Sequence, residues 1–234
     1  IFSDFVEYFR NESKVFAKGN SKGLDLNDQT IILADNFEYD VLENIIIAEK
    51  NVIIKNEIED YTISSDFIKY LKNKEEIFSQ GETSAIIESE YNFNSKDLIF
   101  LKNSMQLISN KNSTITDKYN LYNLAKFKYL LNKKELRGEK ITISSNYKTP
   151  KSDQFYFSSG VINLKSQDFK AKDTKIKIHK DIFNEQENDP RLYGVSSSKK
   201  NQITKVNKGI FTNCKDNGDN CPPWSIKASQ IKHD

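Results

Sequence analysis

Apolar and polar positions alternate most regularly over residues 31–52, IILADNFEYDVLENIIIAEKNV. Leu33, Asp35, Phe37 and Tyr39 alternate with Ala34, Asn36 and Glu38, the period of two that sets successive side chains on opposite faces of a strand. Residues 40–44 break the pattern with turn-prone side chains. Ile45, Ile46, Ile47 and Ala48 then begin a second run, which Asn51 interrupts before Val52, Ile53 and Ile54. The stretch predicts a strand, a turn and a strand. A weaker copy lies 31 residues on: Ile32, Ala34, Asp35, Phe37, Tyr39, Ile46 and Val52 correspond to Ile63, Ser65, Asp66, Ile68, Tyr70, Ile77 and Thr83. A recurring unit of this kind marks a stacked β architecture.

Further β-prone runs fall at residues 52–55, 61–67, 77–79, 84–87, 91–93, 98–101, 105–108, 114–116, 125–131, 140–144, 154–157, 161–164, 169–171 and 175–179. Polar breakers such as Asn94-Ser95-Lys96 and Asn110-Lys111-Asn112 separate them. Spacing of about 8–12 residues with turn signals predicts an all-β sandwich, barrel or solenoid. Residues 3–16 read as helix or strand; strand is preferred because residues 15–20 resemble the close of one repeat. Residues 118–131 are equally mixed, but Lys126-Phe127-Lys128-Tyr129 alternates, so that end is expected to be a strand. No linker is visible. The composition shifts at residues 184–188, an acidic polar patch before Asp189-Pro190, which sets a repeating body at 1–183 and a closing segment of the same domain at 184–234.

Of the 234 residues, 37% are hydrophobic, enough to fold but low for one compact core, and suited to a layer with a wet outer face. With 8 Gly and 4 Pro, collagen-like and low-complexity classes are excluded, and turns fall to Asn, Asp, Ser and Lys. The net charge of +2 is the difference of 35 basic and 33 acidic residues, with lysines spread along the chain, which argues against nucleic acid as a partner. No run of 18 apolar residues is present to span a bilayer as a helix. The first residue is Ile1 and no leader pattern follows it, which suits a mature or cut segment and gives no location.

His179 and His233 stand far apart without ligand-type residues at zinc spacing, and both are read as surface residues. No nucleophile elbow, zincin motif, P-loop or dinucleotide fingerprint occurs. Carboxylates are plentiful but no acid/base pair is singled out, so neither catalysis, a metal nor a cofactor is expected. Cys214 and Cys221 bracket an Asn217-Gly218 hairpin signal. A turn there sets the two cysteines opposite each other, near disulfide range. A local bridge, two free thiols and bridges to cysteines outside this chain all remain open. A calcium loop in the same stretch lacks ligand positions. Pro222-Pro223 suits an edge or corner before an alternating strand, and Trp224 is expected to plug a core.

These residues resemble a known family. Ile32-x-Ala34-Asp35-x-Phe37-x-Tyr39-Asp40, the following strand with Asn51-Val52, and the copy over residues 63–81 are similar to the OstA-like domain shared by the LptA, LptC and LptD proteins of lipopolysaccharide transport. The closing segment is more specific. Asn188-Asp189-Pro190-Arg191-Leu192-Tyr193-Gly194-Val195-Ser196-Ser197, Lys208-Gly209-Ile210-Phe211-Thr212-x-Cys214, and Cys221-Pro222-Pro223-Trp224-Ser225-Ile226 through Asp234 resemble the junction of an LptD-type periplasmic domain with its outer-membrane barrel. The short cysteine spacing and the two prolines resemble an alphaproteobacterial version. The likeness covers residues from about 25 to 234.

The resemblance implies an OstA-like β-jellyroll, a V-shaped antiparallel strand stack whose apolar trough carries lipid A acyl chains at the periplasmic face of the Gram-negative outer membrane. It implies as partners lipopolysaccharide, an LptA-like bridge stacked on a sheet edge, and an LptE-like lipoprotein acting through a barrel that these residues do not contain. On this reading the trough candidates are Leu33, Phe37, Tyr39, Ile54, Ile63, Ile77, Ile99 and Phe127. An acyl chain gains about 0.8 kcal/mol per buried CH₂, so such a trough needs no catalytic group. The competing expectations are a carbohydrate-binding or carbohydrate-active parallel β-solenoid, an LptA-like bridge component, and a self-assembling β array.

Overall fold

The computed structural model describes residues 1–26, 29–180, 188–215 and 224–233. The protein is all-β: the described residues form eighteen strands and no α-helix. They divide into two compact units, Ile1–Ile115 and Thr116–Asp234. The first holds β1 (Phe5–Phe9), β2 (Lys14–Leu24), β3 (Ile31–Asp40), β4 (Ile45–Asn56), β5 (Tyr61–Leu71), β6 (Glu76–Ile87), β7 (Tyr91–Lys96), β8 (Ile99–Leu101), β9 (Gln106–Ser109) and all but the last residue of β10 (Ser113–Thr116). The second holds β11 (Leu121–Leu124), β12 (Lys126–Leu130), β13 (Glu135–Ser144), β14 (Gln154–Asn163), β15 (Phe169–Lys177), β16 (Arg191–Lys200), β17 (Ile203–Thr212) and β18 (Ile226–His233). Strands adjacent in sequence pair antiparallel from β1 through β6 and again from β12 through β18. These ladders are not those of a parallel solenoid. The helical alternatives at residues 3–16 and 118–131 give way to β1, the start of β2, β11 and β12.

A backbone device repeats through both units. Hairpins close on a residue in the left-handed region: Ser13, Asn44, Glu75, Met105, Lys134, Gln167 and Gln202, spaced 29 to 35 residues apart. In six of these seven hairpins a second left-handed residue follows six positions later, at Gly19, Lys50, Gly81, Lys140, Asp173 and Lys208. The 31-residue copy seen in the sequence is thus two rungs of a longer series. In the first unit the second device is a bulge. Lys18 pairs with Asn36 but Ser21 pairs with Ala34, and Glu49 pairs with Phe67 but Val52 pairs with Ser65. One extra residue on β2 and β4 therefore opposes the neighbouring strand, which bends the strand and keeps apolar side chains in phase on both sides. Asn51 does not end a strand, as its polarity suggests, but bends a single twelve-residue one.

The described strands form one 18-stranded sheet, and in the first unit the bend folds its strands back onto one another. Tyr61, at the start of β5, lies with its ring 4.8 Å from Phe100. Phe100 belongs to the cross-strand row of Tyr70 and Ile77, at the other end of the same strand. The inward side chains Ile32, Ile54, Ile63, Ala85 and Phe93 form one row and Phe37, Ala48 and Ile68 another, all buried. Along the bend run buried hydroxyls. Thr83 Oγ1 lies 2.7 Å from Ser79 Oγ and 3.1 Å from Ser65 Oγ, and Ser95 Oγ lies 2.7 Å from both Ser109 Oγ and Ser113 Oγ. They pair backbone groups where the ladder is interrupted: the Leu98 N–H donates to Ser79 Oγ at 2.9 Å, and Ser113 Oγ donates to Lys111 O at 2.7 Å. The second unit also folds back. Phe155, at the start of β14, and Phe169, which pairs near the end of that strand, meet edge-on at 6.0 Å.

The bend residues give a prediction of opposite signs. A Cβ on Gly81, at φ +83°, meets nothing within 4 Å, so Gly81→Ala carries only the left-handed penalty and lowers stability by about 1 kcal/mol. Lys50, at φ +62°, already bears that penalty, so Lys50→Gly raises stability by up to about 1 kcal/mol. Urea unfolding midpoints of the two variants check both signs.

Candidate functional site

The apolar interior of the first unit is the strongest candidate. Its middle rungs are filled by the protein's own side chains, with Ile54 at 0% and Ile77 at 1% exposure. Toward β1 the filling thins. There a cavity of about 80 Å³ lies against the inward residues Ile32, Phe37, Tyr39, Ile46 and Tyr70, with Asp25 and Lys72 also in its wall. Gly23 makes room in that wall, since a Cβ there would stand 3.0 Å from Phe37 Cζ. Lys72 Nζ pairs with Asp25 at 3.0 Å and stands 5.9 Å from the centroid of the Tyr39 ring. The Tyr39 hydroxyl donates to Asn44 Oδ1 at 2.8 Å. Beyond the cavity the inward face continues onto β1, where Val6 and Tyr8 are 48% and 57% exposed.

Of the eight trough candidates, Phe37, Ile54, Ile63 and Ile77 are buried on the inward face of the first unit, and Tyr39 stands half-buried on the same face. Ile54 and Ile63 are direct cross-strand partners. Phe37 and Tyr39 meet at the cavity. Leu33 and Ile99 are half-buried and out of phase with their buried neighbours Ile32, Ala34 and Phe100, so alternation points them to the other face. The bulge explains Leu33: it shifts the phase between Ala34 and Phe37, so one alternating series does not continue along the whole strand. Phe127 is buried in β12 of the second unit.

Polar clusters link the folded strand ends of each unit, and neither is legible as a site in the sequence. In the first unit Lys102, buried, reaches Thr30 Oγ1 at 3.3 Å and the Tyr70 hydroxyl at 3.4 Å. Thr30 Oγ1 in turn lies 3.4 Å from the Tyr61 hydroxyl and accepts from Asn56 Nδ2 at 3.3 Å. In the second unit Asp117 Oδ1 accepts the N–H groups of Tyr119 and Asn120 at 2.7 Å each. Its Oδ2 accepts from the Tyr122 hydroxyl at 3.1 Å and from Gln167 Nε2 at 3.3 Å. Burial first, then the adjacent Asp117 carboxylate, push the Tyr122 phenol well above its ordinary range, so it remains a donor. These contacts tie distant turns by side chains whose sequence neighbours give no hint of them.

His179 is half-buried, with Nδ1 2.8 Å from Asp153 Oδ1, while the side chain of His233 lies outside the described residues. Cys221 and the Asn217-Gly218 turn lie outside them too, and with them the proposed bridge and the calcium-loop reading. Cys214 is half-buried, its Sγ 3.8 Å from Trp224 O. Trp224 is not a core plug: 46% exposed, it packs obliquely on Phe211 with ring centroids 6.0 Å apart. Neither the protein families nor the curated proteins searched match this chain.

Two predictions follow from this chemistry. Asp117→Ala removes the acceptor for Tyr122, Asn120 and Gln167, and lowers stability by about 2–4 kcal/mol in urea unfolding, while Gly or Ala changes at exposed surface sites do not. The Thr212 side chain, against an opposing contribution from burial and with help from the positive charge of Arg191, holds the Cys214 thiol below its usual range. In reduced Cys221→Ser protein, the pH midpoint of Cys214 alkylation therefore lies below that of a cysteine in a short peptide, and Thr212→Val moves it upward.

Proposed function

We propose that this chain is the periplasmic OstA-like part of an LptD-type lipopolysaccharide-assembly protein of the alphaproteobacterial kind, and that it guides lipid A acyl chains toward an outer-membrane barrel. The observation that carries the reading is the apolar inward face, bent at the bulges into a fold-back sheet, which is closed in its middle rungs and opens at the cavity lined by Phe37 and Tyr39. The antiparallel ladders and the bend support an OstA-like β-jellyroll. The paired left-handed residues extend the repeat on which the resemblance rests.

The physical case concerns the profile of binding rather than its depth. An acyl chain of about twelve CH₂ groups gains about 10 kcal/mol on leaving water. Because Ile54, Ile63 and Ile77 already fill the interior, an entering chain exchanges protein–protein for protein–lipid apolar contact. The net gain at each rung is then small, which suits passage more than storage. The lipid headgroup stays at the open side, near the Lys72–Asp25 pair. On this reading β1 is the edge that meets an LptA-like bridge by strand addition, and an LptE-like lipoprotein acts farther on, at the barrel. The working place is the periplasmic face of the outer membrane.

Photo-crosslinking in cells tests the reading. A benzophenone amino acid at Phe37 or Phe127 is expected to give lipopolysaccharide adducts, while one at Leu33 or Ile99 gives few. Absence of adducts at every inward position contradicts the transport function.

A further inference from the structure

A second cavity, of about 610 Å³, lies in the second unit where β14 starts, β15 ends and β16 starts. Small-molecule sites occupy about 300–1,000 Å³. Register builds one wall: Gln154 pairs with Lys177 and Lys177 with Arg191, so one cross-strand row turns three polar side chains to the same face. Ser152, Ile178, His179, Lys180 and Asp189 add to the lining. Asp153 fixes the histidine. Its Oδ1 accepts the His179 backbone N–H at 2.9 Å and lies 2.8 Å from Nδ1. Nδ1 is thereby the protonated nitrogen of the neutral ring, and Nε2 is left as an acceptor. Arg191 is the unusual member. It is 4% exposed, and its Nη1 donates to two backbone carbonyls, Asp189 O at 3.1 Å and Cys214 O. Among the described residues no carboxylate pairs with this guanidinium; Asp189, two positions away, pairs with Lys180 at 2.9 Å. A buried charge is costly unless an opposite charge meets it.

We propose that this cavity binds a hydroxylated phosphate monoester of the sugar-phosphate kind, whose phosphate supplies the counter-charge for Arg191. A guanidinium presents its N–H groups as a planar fork that meets phosphate oxygens two at a time. Lys177 and Lys180 in the same lining suit a group that carries about −1.5 to −2 at neutral pH better than the single charge of a carboxylate. The other lining groups suit the rest of such a ligand. Nε2 of His179 accepts from a hydroxyl, Ser152 and Gln154 offer further hydrogen bonds, and Ile178 offers an apolar surface to a ring face. The site shares no residue with the cavity of the first unit, so it stands whether or not acyl chains enter there.

Isothermal titration calorimetry of the full chain with glucose 1-phosphate tests the assignment, with glucose and acetate as controls. One-to-one binding of glucose 1-phosphate is expected, at least tenfold tighter than that of either control. Arg191→Lys keeps the charge but loses the fork, and is expected to weaken binding at least tenfold. If that variant loses its circular dichroism melt, Lys177→Gln/Lys180→Gln carries the same reading, with binding weakened at least fivefold. Phosphatidic acid vesicles that displace glucose 1-phosphate, where phosphatidylcholine vesicles do not, identify a lipid phosphate as the source. Displacement by neither identifies a soluble ester, and both results support the site. No binding of glucose 1-phosphate up to about 10 mM, equal affinity for acetate, or unchanged affinity in every folded variant would overturn the proposal. The sequence between Lys180 and Asn188 also holds Asp181, Glu185 and Glu187. Binding gained only in the Asp181→Asn/Glu185→Gln/Glu187→Gln variant would make the chain its own counter-charge, and would overturn the proposal as well.

Discussion

A left-handed residue six positions past six of the seven hairpin turns sets the geometry on which this protein depends. An L-residue in that region costs roughly 1–2 kcal/mol, yet Lys50, Lys140, Asp173 and Lys208 all adopt it, and glycine fills the position only at Gly19 and Gly81. In the first unit that residue is also an extra residue. Without it the strands of the first unit would be regular and its sheet would not bend there, and Tyr61 would stand a full strand length from Phe100. With it, one face of a single sheet becomes its own core. The buried hydroxyls along the bend follow from the same cause, since an interrupted ladder leaves backbone groups that apolar side chains cannot satisfy.

From this constraint comes a division of labour along each strand. The two arms of a rung carry the apolar rows, the bend carries Ser and Thr, and the ends carry polar clusters such as Lys102 with Thr30 and Tyr70, or Asp117 with Tyr122 and Gln167. The interior is therefore apolar but bounded by polar groups at the bend and at the strand ends. On the proposed reading an amphiphile would lie with its chains between the arms and its polar part at the ends. Among the described residues the rows of the first unit's interior are apolar, with the Lys72–Asp25 pair in the wall of the cavity.

Much of the fold was legible because alternation and turn residues act locally. Tyr39 and Tyr70, or Ile46 and Ile77, announced the rung before any coordinates. The bend hides what alternation shows elsewhere: Asn51 looks like a break in the middle of a single strand, and Leu33 shares the phase of Phe37 in sequence although a bulge lies between them. The face of a bulged strand depends on its neighbours' register, which one strand's sequence does not contain. The polar clusters were invisible for a related reason, since Asp117 and Gln167, or Thr30 and Lys102, meet only after the sheet folds. A large aromatic side chain suggests a core plug, whereas Trp224 packs on Phe211 and stays 46% exposed.

The central claim is that acyl chains lie against the inward face of the first unit. Methyl-resolved NMR on isoleucine-labelled protein with lipid A in detergent micelles addresses it directly. Intermolecular nuclear Overhauser effects from acyl protons to Ile32 and Ile46, at the cavity, and then to Ile54 and Ile77 are the predicted result. Effects confined to exposed methyls such as those of Ile58 and Ile86, with the inward methyls unperturbed, would contradict it.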